Sequence, residues 1–379
     1  MRRARKLLNV VGDRLGGDLG LKHGWRGRGA PRAGVALACV VVAVAVLASC
    51  SAKRSGRGDG DRPAPASHPR SGQANAAGGR ALPGDGPVSG KVVVRHGAFA
   101  PTEGSGVVAS RTHAGVLWAI RDGGSSRPGQ PRAALYAYRL TGDRLGTLAG
   151  GKRVRAVPVP GATDVDWEDI ATDDAGNLWI ADIGDNDCRR ASIVLYKVRE
   201  PDPGAARAEL LATYRFTYPD ADQDCHGWDA ESLFLVDGVP YVITKSGFPV
   251  VYRAATLDER RTTALRRVGG LESGLAEPVI FPTGADLSDD HRRLAVATYA
   301  TLAIYQVSDP SRGGEALVGD LIGHPARWTV KLGCLLCPVD QLSMVEGVAF
   351  TGRDHDLTLL SERHDVWYLP SGAYERGQR

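Results

Sequence analysis

From residue 91 onward the apolar positions come in short β-branched and aromatic runs, separated by turns and bracketed by small polar or acidic residues. The plan is clearest over residues 164–186, DVDWEDIATDDAGNLWIADIGDN. Strands at 170–172 (with their lead-in) and 178–181 flank the turn Asp173-Asp174-Ala175-Gly176-Asn177, whose composition suits a tight reversal. A hairpin brings the chain back to the end where it began. The acidic entry (Asp164, Asp166, Glu168, Asp169) and the acidic exit (Asp182, Asp185, Asn186, Asp187) therefore share one end.

Four other stretches repeat this unit of polar entry, strand, turn, strand and polar exit. The first opens at Glu103-Gly104-Ser105-Gly106 and exits at Arg121-Asp122. The third opens at Asp229-Ala230-Glu231-Ser232 and exits at Thr244-Lys245. The fourth opens at Thr283-Gly284-Ala285-Asp286 and exits at Thr298-Tyr299. The fifth opens at Val345-Glu346-Gly347 and exits at Ser361-Glu362-Arg363. A third strand follows each pair, at 134–140, 193–199, 250–254, 301–307 and 366–369. Glu103, Glu168, Glu231, Asp286 and Glu346 stand roughly 55 to 65 residues apart, room for four strands and generous loops. The expected fold is all-β, a β-propeller of five four-stranded blades. A sixth blade within 308–340 is the alternative count. The run Lys91-Val-Val-Val-Arg95 has no partner in its own unit and is expected to close the ring as the outer strand of the last blade, beside 365–369.

Upstream, residues 35–48 (VALACVVVAVAVLA) form an apolar run of 14 residues, short of the roughly 20 that a spanning helix needs. They suit the core of an export signal. The run ends in Leu47-Ala48-Ser49-Cys50, which resembles the bacterial lipobox and implies lipid on Cys50. The domain plan is a signal peptide over 1–49, a lipidated Cys50 with a disordered Ser/Gly/Pro/Ala-rich linker to residue 90, the propeller over 91–370 and a frayed tail over 371–379. This places the protein outside the cytoplasm, lipid-anchored on the outer face of the cytoplasmic membrane.

Charge changes the picture once it is located. The chain is formally +4, but its excess of basic over acidic residues lies in the first 90 positions and the folded part is net acidic. That leaves no basic patch for nucleic acid. The cysteines suit an oxidising compartment. Cys188 follows the second exit and Cys225 precedes the third entry, so they are expected to pair, and Cys334 with Cys337 closes a small loop.

In a propeller the first strand of each blade lines the channel. Glu168, Glu231 and Glu346 then converge near the axis with Ser105 and Thr283, ringed by Asp122, Asp182, Asp185, Lys245, Tyr299, Glu362 and Arg363. Converging carboxylates repel one another and resist burial. Basic partners such as Lys245 and Arg363 would relieve this, and so would a cation. Recurrence of Glu at one position in three blades favours the cation, and hard oxygen donors suit Ca²⁺.

The entry segments Glu103-Gly104-Ser105-Gly106, Trp167-Glu168-Asp169, Ala230-Glu231-Ser232, Thr283-Gly284-Ala285 and Val345-Glu346-Gly347 resemble, in the same order, those of calcium-activated nucleotidases, the apyrases of five-bladed fold. The resemblance implies Ca²⁺ at Ser105, Glu168, Glu231 and Glu346. Thr283-Gly284-Ala285 departs from the family's Ser-rich fourth motif, and that family's basic nucleotide-contacting loops have no counterpart here. The chain is also similar to esterase-like and phytase-like bacterial propellers, in which motifs of the WEDIA and DIGDN type recur.

Two functions follow. One is a tethered binding propeller with a central cation, capturing a small molecule or protein partner at Asp122, Lys245, Tyr299 and Arg363. The other is a Ca²⁺-dependent phosphoester or ester hydrolase in which Asp182, Asp185 or Glu362 orients water. The many acids at the rim disfavour a phosphate substrate and tilt the balance to binding.

Overall fold

The computed structural model describes residues 94–98, 104–122, 133–141, 144–147, 156–186, 189–219, 228–272, 279, 281–299, 301–332, 344–351, 354–362 and 365–375. The first strand, β1 (Val94–Ala98), has its partner at the far end of the chain. Between them run five antiparallel sheets arranged as a five-bladed β-propeller.

Blade one holds β2 (Gly104–Ala109), β3 (Val116–Arg121), β4 (Ala134–Thr141) and β5 (Arg144–Thr147), with β6 (Ala156–Pro158) sharing the outer edge of β4. Blade two holds β7 (Trp167–Thr172), β8 (Leu178–Asp182), β9 (Ile193–Arg199) and β10 (Glu209–Thr217). Blade three holds β11 (Ala230–Val236), β12 (Val239–Thr244), β13 (Val250–Arg253) and β15 (Arg266–Gly270), while β14 (Thr263–Ala264) lies parallel to β10. Blade four holds β16 (Pro282–Leu287), β17 (Arg293–Thr298), β18 (Thr301–Gln306) and β19 (Trp328–Lys331). Blade five holds β20 (Val345–Phe350), β21 (Leu357–Ser361), β22 (Asp365–Leu369) and β1.

A short, largely apolar strand belongs where both faces are covered, and β3, β7, β8 and β11 are buried at every position, their charged residues Arg121, Glu168, Asp169, Asp182 and Glu231 included. Alternate side chains enter opposite blade interfaces. Trp118 and Ile120 pack against Trp167 and Ile170 of blade two, whereas Leu117 and Ala119 pack against Ala349, Leu360 and Val366 of blade five. Each neighbouring pair of blades shares such an apolar cluster. The inner strands touch in the order β2, β7, β11, β16, β20, and β20 returns to β2.

Closure occurs as the sequence implies. The described strand covers 94–98, pairing Val94 with Tyr368 and Ala98 with Asp365, while positions 91–93 of the expected run lie outside the described residues. The stretch 308–340 supplies no sixth blade among its described residues. It carries helix α1 (Gly314–Ile322), which buries Leu317, Val318, Leu321 and Ile322 against blades three and four, followed by β19. The frayed tail is corrected over 371–375, which form helix α2 (Ser371–Glu375). Tyr374 is buried there and donates to His355 O at 2.7 Å, and Glu375 pairs with Arg293 at 2.6 Å. Cys50, Cys188, Cys225, Cys334, Cys337 and Arg363, with the export and linker segments, lie outside the described residues. No helix among the described residues is long and apolar enough to cross a membrane.

Candidate functional site

A regularly paired inner strand would alternate its side chains between the two blade interfaces. All five inner strands break that alternation at one place. Their registers shift between Gly104 and Val107, Trp167 and Asp169, Ala230 and Ser232, Pro282 and Gly284, and Val345 and Gly347. Such a bulge sets two residues against one and re-aims the extra side chain. The bulged positions are Ser105 (with Gly106), Glu168, Glu231, Thr283 and Glu346, all buried. They include every metal candidate drawn from the sequence, gathered at one end of one ring.

Side chains at the bulges join blade to blade. Ser105 Oγ donates to Glu168 O at 2.7 Å and stands 3.3 Å from Glu168 Oε2, and Thr283 Oγ1 donates to Val345 O at 2.7 Å. The strands come close enough that a Cβ on Gly347 would lie 2.5 Å from Ser105 O, so this position admits no side chain. In the DIGDN exit, a Cβ on Gly184 would stand 2.4 Å from both Asp166 Oδ2 and Glu168 Oε1. These two carboxylates therefore lean over the same point of backbone. The chain is also strained at the mouth: Phe281 and Met344, directly before β16 and β20, hold φ of 54° and 56°, a region costly for side-chain-bearing residues.

The ligand candidates divide. Lys245 ion-pairs with Glu231 Oε1, its ammonium 5.0 Å from the centre of the Tyr299 ring. Of the candidates, Lys245 meets Glu231 directly and Tyr299 faces the Lys245 ammonium, whereas half-buried Asp122 exerts its charge on Asp164. Asp182 and Asp185 are engaged locally. Asp182 Oδ1 accepts from Asp166 N at 3.0 Å and pairs with Arg190 at 2.7 Å. Asp185 accepts from Arg189 N at 2.8 Å and from Arg190 N at 3.1 Å, and its own N–H donates to Asp229 Oδ1. Glu362 is half-buried, its N–H donating to Met344 O. Burial raises the Asp182 carboxyl despite Arg190. Burial first, then the charges of Asp182 and Asp122, push Asp164 up to about 7.

Two carboxylates at the channel axis escaped the sequence reading of the site. Asp169, one position past the bulge of β7, accepts from Ile170 N at 2.9 Å, Leu233 N at 2.8 Å and Ala285 N at 3.1 Å. One side chain thereby ties the inner strands of blades two, three and four, and burial pushes its carboxyl well up. Asp286 accepts from Phe350 N at 2.7 Å, joining blade four to blade five, and burial raises it to about 7. An unfolded Asp titrates near 4, so between about pH 4 and 7 the folded chain binds the extra proton and loses stability as pH rises. Asp286→Asn is therefore expected to gain melting temperature relative to wild type between pH 5 and pH 8. A constant difference between the two proteins across that range would refute the assignment.

At the opposite end, the hairpin turns close on one another. Asp174 accepts from Arg111 at 2.8 Å and meets His291 Nε2 at 3.2 Å, and His355 meets Asp290 at 3.1 Å. His355 thus sits away from the bulged carboxylates.

No protein-family model matches the chain, and no curated protein matches it. Among solved structures it is similar to a gluconolactonase from Xanthomonas campestris, 13% identical over 77% of this chain and 97% of that one, with a TM-score of 0.37. It is also similar to a candidate gluconolactonase, 14% identical over 76% of this chain and 97% of that one, with a TM-score of 0.38. Likeness at this level says nothing about activity.

Proposed function

We propose that this chain is a tethered binding propeller whose channel mouth holds Ca²⁺ and captures a small molecule or protein partner. Lipid on Cys50 would hold it at the outer face of the cytoplasmic membrane, with the Ser/Gly/Pro-rich linker as tether. The observation that carries the reading is the run of five equivalent bulges, which presents hydroxyls and carboxylates at one level of one ring. The donors fit a hard cation in kind, being oxygens throughout, and Glu231 Oε2 is buried without a hydrogen bond. As they stand, no three His, Cys, Asp or Glu among the described residues are grouped as a metal site, and Lys245 occupies Glu231 Oε1. Ser105, Glu168, Glu231 and Glu346 would hold the ion. Bound there, it would neutralise the carboxylates and offer a positive centre to a polar ligand.

Asp122, Lys245, Tyr299 and Arg363 are the residues proposed to meet that ligand. Hydrolysis is the less supported reading, because Asp182 and Asp185, two of the three acids proposed to orient water, already accept structural hydrogen bonds. Turnover of generic phosphoesters and esters, with and without Ca²⁺, separates the two readings.

The ion itself is tested by melting. A ligand at a hundredfold its Kd stabilises by about 2.7 kcal/mol, which for a domain of this size is roughly 5–10 °C. Chelation is expected to remove a shift of that order from wild type, and Glu168→Gln or Glu231→Gln to abolish the response. A wild type unmoved by chelator would leave the ring held by protein partners alone.

A further inference from the structure

We propose that Lys245 is a tethered counter-ion that competes with Ca²⁺ for Glu231 and so sets how tightly the channel mouth holds the cation. The inference rests on the ion placement proposed above.

The five exit strands pair their last residues, Arg121, Asp182, Thr244, Thr298 and Ser361, with the residue ahead of each bulge. The next positions are Asp122, Ile183, Lys245, Tyr299 and Glu362. Lys245 is the one basic residue of these five, and it stands beside a bulge glutamate. Its side chain is only 6% exposed and that of Glu231 is wholly buried. The pairing is prepared on both sides. The Lys245 N–H donates to Asp229 O at 2.6 Å, fixing the backbone, and the Tyr299 ring faces the ammonium at 5.0 Å. A buried glutamate that must survive without a metal ion needs such a partner, because an unpaired buried carboxylate is costly.

The same partner opposes the ion. An ammonium and a divalent cation that share one carboxylate repel at close range, so Ca²⁺ engages Glu231 fully only when Lys245 lets go of Oε1. Its apparent affinity is then the intrinsic affinity scaled by the fraction of molecules in which Glu231 is released. Lys245 thus stabilises the ion-free propeller and weakens the ion-bound one.

The test is calorimetric titration of wild type, Lys245→Met and Lys245→Arg with calcium chloride, with melting temperatures measured in chelator and in calcium. Lys245→Met is expected to bind at least tenfold tighter than wild type, to melt lower in chelator, and to show the larger calcium-induced shift. Lys245→Arg, which keeps the charge, is expected to stay within about threefold of wild type. If wild type responds to calcium and Lys245→Met binds no more tightly, the competition is overturned while the ion placement stands. If wild type is silent and Lys245→Met binds, the lysine stands in for the ion; the competition is upheld and the proposed calcium occupancy of the native ring fails. If neither binds, both are overturned. Should Lys245→Met fail to fold in chelator, recovery in calcium supports the proposal, and Lys245→Gln, which can still donate to Glu231, is titrated in its place.

Discussion

Removal of residues 94–98 is expected to lower the melting temperature of the propeller by roughly 10 °C, taking about 1 kcal/mol for each backbone hydrogen bond lost and roughly 2–4 °C per kcal/mol for a domain of this size. The reason is topological. β1 is the outer strand of blade five, so its pairing with β22 is what joins the start of the domain to its end. Without it β22 becomes an open edge, which invites association with other chains. Blade five would then be held to blade one by side-chain packing of β2 on β20 and β21, without the chain's own start pairing into its last blade. Deletion of residues 51–86, a segment whose composition cannot build a core, should leave the melting temperature unchanged. A 94–98 deletion that melts with wild type and stays monomeric would mean that the ring holds without this closure.

The architecture was legible because inner and second strands are constrained on both faces and at both ends. Burial selects apolar residues at Ile170, Ala171, Leu178, Trp179, Ile180 and Ala181 of β7 and β8, the Asp173–Asn177 turn is spelled out, and acids recur where the strands begin. Outer strands carry no such constraint. β15 is largely exposed and reads RRVGG, and β14 is two residues long, so neither leaves a pattern of period two. The five bulges were legible only through their chemistry: Ser105, Glu168, Glu231, Thr283 and Glu346 could be aligned by spacing, but nothing in a single strand announces the extra residue. The carboxylates of Asp182 and Asp185 accept hydrogen bonds from partners within about twenty residues, local roles that the sequence reading, which offered both to orient water, did not assign. Asp169 gave no signal, since it stands in an acidic run beside Glu168 and two of its partners are backbone amides 64 and 116 positions away.

That distance makes Asp169→Ala the most informative single substitution in the fold. The change leaves three buried N–H groups, at Ile170, Leu233 and Ala285, without their acceptor, and each unsatisfied donor costs about 1–3 kcal/mol. A loss of roughly 3–6 kcal/mol is expected, with relaxation and water entry setting the lower figure. Asp169→Asn should fall between the variant and wild type, because its carbonyl oxygen can serve some of the donors while its amide opposes the rest. The two distant donors belong to β11 and β16, so the effect should spread beyond blade two. Amide exchange at Leu233 and Ala285 is expected to accelerate together with that at Ile170, although no residue of blades three or four has been altered. Calcium response should survive in the folded fraction, since Asp169 is not among the residues proposed to hold the ion. If the variant melts within about 2 °C of wild type, or if exchange quickens only in β7, the carboxylate is not the tie that joins the three inner strands.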